Sequence, residues 1–124
     1  MTQQEPTGTQ PSPPPGSLTI QDTNAEGIRV LSLAGEIDHH SGPALHQALA
    51  ESDAFRPRVV LDLSLVTFMD SSGINILLAA HHTHTEAGGW LRLAAPSPAV
   101  KRTLDIIGAD TVLDCHDTLS QALT

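Results

Sequence analysis

Apolar and polar residues alternate along two short segments that follow the proline-rich start of the chain. The first segment carries Leu18 and Ile20, and the second is a run rich in β-branched side chains at 28–33. Alternation with a period of two is typical of strands that bury one face. Residues 24–27, Asn-Ala-Glu-Gly, have the composition of a hairpin turn. We therefore predict two neighbouring strands, the second of which closes at 35–38.

Four later segments carry apolar residues at the spacing of an α-helix. Each begins with residue types that cap helices or fit their first turn. The predicted starts are Ser41, Asp70 or Ser71, 96–98 and Asp117. Glycine and proline mark the predicted ends of the first three helices, because glycine adopts the left-handed cap conformation and proline lacks an N–H group. These helices are expected to end before Arg56-Pro57, at 88–89 and at Gly108.

Three short apolar runs separate the predicted helices, at 59–63, 90–94 and 112–113. The first of these, at 59–63, is nearly all apolar, which is typical of a strand buried on both faces of a parallel sheet, and the other two are predicted as further strands. Residues 64–69 are predicted to form a loop before the second helix. The order β-β-α-β-α-β-α-β-α indicates an α/β fold, with a mixed, mostly parallel sheet of about five strands and about four helices.

The first 16 residues hold five of the nine prolines in the chain. Apart from Met1 they contain no large apolar side chain, so they cannot bury enough surface to offset the entropy of ordering. We predict a disordered or polyproline tail at 1–16 and one folded domain at 17–124. Alternatively, the run Pro-Ser-Pro-Pro-Pro at 11–15 is a ligand for an SH3-type domain.

The composition argues against several classes of partner. Six basic residues stand against 14 acidic ones in 124 residues, a formal net charge of −8, whereas nucleic-acid binding needs clustered lysine and arginine. Aromatic residues are 2% of the chain, too few for a base-stacking platform. The longest apolar stretch is far shorter than the roughly 20 residues of a membrane-spanning helix, and no signal peptide pattern is present. We expect a small acidic protein of the cytoplasm with no nucleic-acid or membrane partner.

The stretch at 69–75, Met-Asp-Ser-Ser-Gly-Ile-Asn, is the most informative about chemistry. It places serine hydroxyls at the start of a predicted helix, where backbone N–H groups converge and the helix dipole favours negative charge. Gly73 has no Cβ, and we expect this to leave the serines open to an approaching protein. The alternative is that Asp70 and the serines only cap the helix, which is a common role for these residue types.

Enzymatic interpretations of the same serines fail on spacing. A nucleophile elbow needs a glycine two positions before the serine, and Met69 stands there. His81 lies roughly 15 Å along the helix from Ser71, too far to complete a Ser-His-Asp triad. A phosphoaspartate receiver needs a lysine after a late strand, but the sole lysine, Lys101, falls on the third predicted helix.

The sequence gives little support for metal or thiol chemistry. His81 and His84 are spaced as neighbours on a helix and could form part of a zinc site, but no cysteine or carboxylate nearby completes the ligand set. We expect these histidines to lie on a solvated helix face. Cys115 is expected to be a small apolar filler at the end of a strand rather than a nucleophile. The sequence therefore predicts no metal and no cofactor.

Three stretches together resemble a known family: Gly-Glu-Ile-Asp-His-His at 35–40, Phe-Met-Asp-Ser-Ser-Gly at 68–73 and Ser-Pro-Ala-Val-Lys-Arg at 97–102. They are similar, in the same order, to the signatures of bacterial anti-sigma factor antagonists, which are stand-alone STAS-domain proteins. The likeness runs from about Ser17 to the C-terminus. It implies a STAS fold for 17–124 and a regulator of sigma factors rather than an enzyme.

The resemblance also implies a mechanism and a set of site residues. Proteins of this family bind an anti-sigma factor that is also a serine kinase, and so release the sigma factor. The kinase phosphorylates the first serine of Asp-Ser-Ser-Gly, here Ser71, which breaks the complex, and a PP2C-type phosphatase restores it. ATP belongs to the kinase, so no cofactor is implied for this chain. The implied partner-binding residues are Glu36, Asp38, Asp70, Ser71, Ser72, Gly73 and Asn75.

The sequence departs from the family pattern at three positions. Asn75 stands where the family usually has glycine, Ile74 replaces a common leucine, and Ala109 replaces another. Asn75 adds bulk close to the expected docking site of the kinase and bears on the identity of the partner. Two alternatives to the phosphorylation switch are a STAS-fold scaffold or ligand-sensing module without it, and a metal- or serine-dependent hydrolase.

Overall fold

The structure is a computed structural model and describes residues 17–50 and 58–124. A five-stranded sheet runs through it in the order β1-β2-β3-β4-β5. The first pair is an antiparallel hairpin and the remaining pairs are parallel. The strands are β1 (Leu18–Ala25), β2 (Ile28–Ile37), β3 (Arg58–Met69), β4 (Trp90–Ala94) and β5 (Asp114–His116). The predicted mixed, mostly parallel sheet is therefore confirmed.

Helices connect the parallel strands, as the order of elements predicts. They are α1 (Gly42–Ala50), α2 (Ser71–Glu86), α3 (Pro98–Ile107), a 3-10 turn (Ala109–Thr111) and α4 (Leu119–Ala122). None of the helices within the described ranges has the length and hydropathy needed to cross a membrane. The predicted tail at 1–16 and the predicted end of the first helix before Arg56-Pro57 lie outside the described residues.

The main core lies between one face of the sheet and helices α1, α2 and α3. Alternate residues of β2, among them Leu31, Leu33 and Ile37, are fully or almost fully buried there. A smaller cluster on the opposite face packs α4 against the sheet through Val60 and Ala122. The sheet thus buries both faces in its middle, which agrees with the apolar run at 59–63 in β3.

Residues 64–69, predicted as a loop, instead continue β3 to Met69. The pairing of β3 with β2 shifts register twice along this stretch. Each shift inserts an extra residue and interrupts the period of two, so that the polar and apolar positions no longer alternate. The sequence pattern at 64–69 therefore does not indicate a strand.

The C-terminal elements also begin later than predicted. The predicted strand at 112–113 belongs to a turn, because the N–H of Leu113 is bonded to the carbonyl of Ala109 at 2.8 Å, and β5 starts at Asp114. The predicted cap Asp117 is replaced by Thr118, whose hydroxyl accepts from the N–H of Gln121 at 3.1 Å. Local hydrogen bonding causes both differences, in the turn after α3 for β5 and at the Thr118 hydroxyl for α4.

Gly35 allows the backbone at the start of β1 to lie directly against the end of β2. It has a φ of +120°, and a Cβ at this position would overlap the carbonyl oxygen of Ser17, which accepts a hydrogen bond from Glu36 N–H at 3.0 Å. Only glycine meets both the backbone conformation and the close approach.

We expect Gly35→Ala to lower the free energy of unfolding by more than about 3 kcal/mol, since backbone strain and steric overlap add. Gly88→Ala is the matched control, because Gly88 also has a positive φ but nothing lies within 4 Å of its Cβ position. That variant should lose only about 1–2 kcal/mol. Urea unfolding of both variants measures the difference, and equal losses would contradict the role of the Ser17 contact.

Candidate functional site

Most of the predicted site residues meet at one end of the sheet. Strands β2 and β3 are parallel, so their carboxyl ends lie side by side. The backbone N–H of Asp70, just after β3, donates to the carbonyl of Ile37 at the end of β2, at 3.1 Å. The loop after β2 and the start of α2 are thereby joined directly.

Asp70 is the cap of α2. Its backbone is extended and its carboxylate accepts from the N–H groups of Ser72 at 2.9 Å and of Gly73 at 3.3 Å. Of the two candidates for the cap, Asp70 and Ser71, the structure therefore selects Asp70. Ser71 becomes the first residue of the helix and is exposed, whereas Ser72 is half-buried.

Gly73 has a different role from the predicted one. It is buried, and a Cβ at this position would lie 2.6 Å from Cγ2 of Ile37 and 2.9 Å from Cγ of Met69. Its small size lets the first turn of α2 approach the ends of β2 and β3. Gly73 therefore sets the position of the serines from the core side, and does not form an opening beside them.

Asp38 organises the loop between β2 and α1. Its carboxylate accepts from the backbone N–H groups of His40 and Ser41, both at 2.9 Å. These hydrogen bonds, that of Ser41 first, hold the pKa of Asp38 below its ordinary value of 3.8 in spite of partial desolvation. The hydroxyl of Ser41 donates to the carbonyl of Glu36 at 2.6 Å and accepts from the N–H of Asp38 at 3.1 Å. Ser41, predicted as a helix cap, thus ties the loop back to β2.

An open groove of about 680 Å³ separates the starts of α1 and α2. Ser72 and Asn75 line it from α2, and His39 and His46 line it from the other side. Asn75 is exposed, so its amide is presented to any molecule that enters this groove. The departure from the family pattern at this position therefore changes the lining of the groove.

Glu36 is separated from this groove by the sheet. The buried positions of β2 include Leu33 and Ile37, and Glu36 alternates with them on the opposite face. Its register partner in β3 is Phe68. The structure thus brings six of the seven predicted partner-binding residues together on the side of the sheet that carries α1 and α2, which we call the helical face. Glu36, the seventh, lies on the opposite side.

Two predictions about side chains with potential chemistry are wrong. His84, predicted on a solvated face, is buried, and its Nδ1 is bonded to the carbonyl of Ala80 at 2.8 Å. Cys115, predicted as a filler, is exposed in β5. The residue as a whole is exposed, but partial desolvation of its sulfur, together with the charges of Asp110 and Asp114, raises the pKa of the Cys115 thiol above 9.0, which disfavours the nucleophilic thiolate. Residues 17–50 and 58–124 contain no group of three or more potential metal ligands.

Ser97 is a structural residue of the site that the motif analysis did not single out. Its hydroxyl donates to the carbonyl of Val66 at 2.7 Å and caps α3 by accepting from the N–H of Val100 at 3.4 Å. It ties the third helix to the end of β3, close to the start of α2. Its presence in the third signature stretch, 97–102, is the signal that could have identified it.

Comparison with known proteins agrees with this geometry. Residues 19–122 match the STAS domain. The anti-sigma F factor antagonist of Paenibacillus polymyxa is 30% identical over 110 residues, which cover 87% of this chain and 94% of that protein. The anti-sigma-F factor antagonist RsfB of Mycobacterium tuberculosis is 34% identical over 113 residues, covering 89% of this chain and 90% of that protein.

A solved structure shows the same fold. The crystal structure of an anti-sigma factor antagonist from Mycobacterium paratuberculosis has a TM-score of 0.81 and 35% sequence identity, with 89% of this chain and 94% of that chain covered. The STAS fold implied by the three signature stretches is confirmed. These relatives are named as regulators and not as enzymes, in agreement with the rejection of the enzymatic interpretations.

We expect Gly73→Ala to destabilise the fold by about 1–3 kcal/mol, because the added methyl overlaps Ile37 and Met69. In an ordinary helix the same change stabilises by about 0.5–1 kcal/mol. Gly42→Ala is the control, since its Cβ would meet only the flexible tip of Ile76 at 2.8 Å and should cost little. Denaturant unfolding compares the two variants, and a stabilised Gly73→Ala protein would contradict the close approach.

The lowered pKa of Asp38 predicts a dependence of stability on pH. The ionised carboxylate contributes its full stabilisation above 3.8 and loses it as the pH falls below that value, toward the lower pKa of the folded state. Asp38→Asn keeps an oxygen acceptor but does not titrate. We expect the melting temperature of the wild-type protein to fall more steeply than that of Asp38→Asn as the pH decreases from about 4 toward about 2, where the carboxyl takes up a proton on unfolding. Melting temperatures of the wild-type protein and of Asp38→Asn that fall equally with pH would contradict the prediction.

Proposed function

The chain belongs to the STAS-domain family of anti-sigma factor antagonists, and we propose that it binds an anti-sigma factor that is also a serine kinase. Binding releases the sigma factor. Phosphorylation of Ser71 by the kinase ends the complex, and a PP2C-type phosphatase restores it. The observation that carries this proposal is the exposed Ser71 at the first position of α2, directly after the capping carboxylate of Asp70. The protein acts in the cytoplasm and needs no cofactor of its own.

The capping role of Asp70 explains why one phosphate has a large effect. A phosphoserine adds nearly two negative charges. The N–H groups of Ser72 and Gly73, which could otherwise bind an anion, already bind the carboxylate of Asp70. The phosphate therefore stands beside an existing negative charge and is directed toward the partner.

The magnitudes are sufficient for a switch. Like charges brought together at an interface cost several kcal/mol. Moving an equilibrium from almost fully bound to almost fully free takes about 5.5 kcal/mol. A single phosphate at Ser71 supplies repulsion of this order without a large conformational change.

The fold itself should tolerate the modification. Ser71 is exposed, so a phosphate there displaces no core side chain. The N-terminal end of a helix also interacts favourably with negative charge. Phosphorylation then changes the affinity for the partner and leaves the domain folded.

The charge of the chain indicates the chemistry of the partner. The formal net charge is −8, and Asp38 and Asp70 both lie at the helical face of the site. Lysine and arginine of the partner complement Asp38 and speed association at low salt, whereas the part of the partner that faces Ser71 and Asp70 is acidic or apolar, since a cation there would bind the phosphate.

A second candidate function is a STAS module that senses a small ligand and lacks the switch. The groove of about 680 Å³ between α1 and α2 favours it, because Asn75 and two histidines offer hydrogen-bonding groups there. Phosphate mapping separates the two candidates, since a ligand sensor incorporates no phosphate at Ser71.

The test is incubation with the candidate anti-sigma kinase and ATP, followed by mass spectrometry. We expect phosphate on Ser71 in the wild-type protein and in Ser72→Ala, the matched control, and none in Ser71→Ala. The phosphorylated protein should bind the anti-sigma factor at least about 100-fold more weakly, which corresponds to about 2.7 kcal/mol. Ser71→Ala should bind with wild-type affinity and not respond to ATP.

Incorporation that survives in Ser71→Ala, or that never occurs in the wild-type protein, would overturn the switch. Unchanged affinity after complete phosphorylation of Ser71 would show that charge at this residue does not control the complex.

A further inference from the structure

We propose that the anti-sigma factor also contacts an apolar patch, formed by Leu65 and Phe68, on the sheet face opposite α2. This inference relies on the proposed function for the identity of the partner, but not on phosphorylation of Ser71. The patch extends the interaction surface from the helical face around the end of the sheet.

The two side chains are unusually exposed for their type and place. Leu65 is 68% exposed and Phe68 is 45% exposed. Within residues 17–50 and 58–124, five large apolar side chains are exposed, and these are the two that lie in a strand. Large apolar side chains exposed together on a sheet favour an interaction site.

The strand register places both side chains on the same face. Leu65 pairs with Ala34 and Phe68 pairs with Glu36, the half-buried positions of β2 that alternate with its core residues. The residues next to them in β3, Val66 and Met69, are buried. The two register shifts in the pairing of β2 and β3 turn Leu65 and Phe68 outward and still bury their neighbours.

The patch is continuous with the switch site. Phe68 precedes Ser71 by three residues, so their Cα atoms are at most about 11 Å apart. The hydrogen bond from Asp70 N–H to the carbonyl of Ile37 holds the chain between them against the end of β2. A protein seated over Ser71 is therefore close enough to cover Phe68.

The surroundings of the patch define the chemistry that fits it. Glu36 is the register partner of Phe68, so the apolar patch is bordered by a carboxylate. Protein interfaces commonly have an apolar core that includes an aromatic side chain and a polar rim. The matching surface of the anti-sigma factor is an apolar side chain flanked by lysine or arginine.

The patch and the switch then have separate roles. Leu65 and Phe68 contribute affinity in both phosphorylation states, whereas Ser71 determines the ratio between the two affinities. Glu36, which is isolated from the other predicted partner-binding residues, gains a position in the interface.

The experiment measures binding of the anti-sigma factor to full-length protein by calorimetry. The variants are Phe68→Thr and Leu65→Thr, since threonine suits a strand and removes most of the apolar surface. Ile106→Thr is the matched control, because Ile106 is 75% exposed at the far end of α3. We expect the unphosphorylated complex to weaken at least tenfold in Phe68→Thr, less in Leu65→Thr and not at all in Ile106→Thr.

A second measurement keeps the test valid if a strand variant fails to fold. Methyl resonances of Leu65 in the wild-type protein should shift or broaden when the anti-sigma factor is added, and those of Ile106 should not. Unperturbed Leu65 methyls in a saturated complex, or wild-type affinity in Phe68→Thr, would overturn the proposal.

The outcomes separate this inference from the proposed function. Wild-type protein that binds the anti-sigma factor while the patch variants bind equally well overturns the patch alone. Wild-type protein that does not bind overturns the proposed function and this inference with it. Two further results would assign the patch to another occupant and also overturn the proposal. A wild-type dimer that dissociates in Phe68→Thr would assign it to a second copy of the chain. Leu65 methyl resonances that shift when the prolines at 11–15 are replaced by serine would assign it to that segment.

Discussion

Parallel pairing of β2 with β3 is the constraint on which the rest of the structure depends. It brings the ends of both strands to one edge of the sheet, where Asp70 N–H bonds to the carbonyl of Ile37. Gly73 then allows α2 to start directly against Ile37. The position of Ser71, and through it the proposed switch, follows from this pairing and from one missing Cβ.

Asp70 links stability to function at this edge. Its carboxylate satisfies two backbone N–H groups of α2, which stabilises the helix start. The same bonds occupy the groups that would otherwise neutralise a phosphate on the next residue. In the mechanism that we propose, a phosphate on Ser71 therefore adds to the charge of Asp70 and is not neutralised by the start of the helix.

The two sides of the sheet end have different characters. The helical side offers carboxylates, an exposed serine and a groove that Asn75 lines. The opposite side offers Leu65 and Phe68 beside Glu36. A partner that spans the edge gains apolar burial on one side, and a site sensitive to charge on the other. In the proposed mechanism, affinity and regulation therefore depend on different side chains.

The sequence by itself determined the order of the elements and the family, because these depend on local periodicity and on residues close together in the chain, whereas only the structure selected Asp70 over Ser71 as the cap of α2. Tertiary structure alone decided the continuation of β3 through 64–69, the burial of His84 and the core-facing role of Gly73. Register shifts between strands, and the approach of a helix to a strand distant in sequence, have no local signature. For the same reason, only the assembled sheet separates Glu36 from the other site residues and places it beside Phe68.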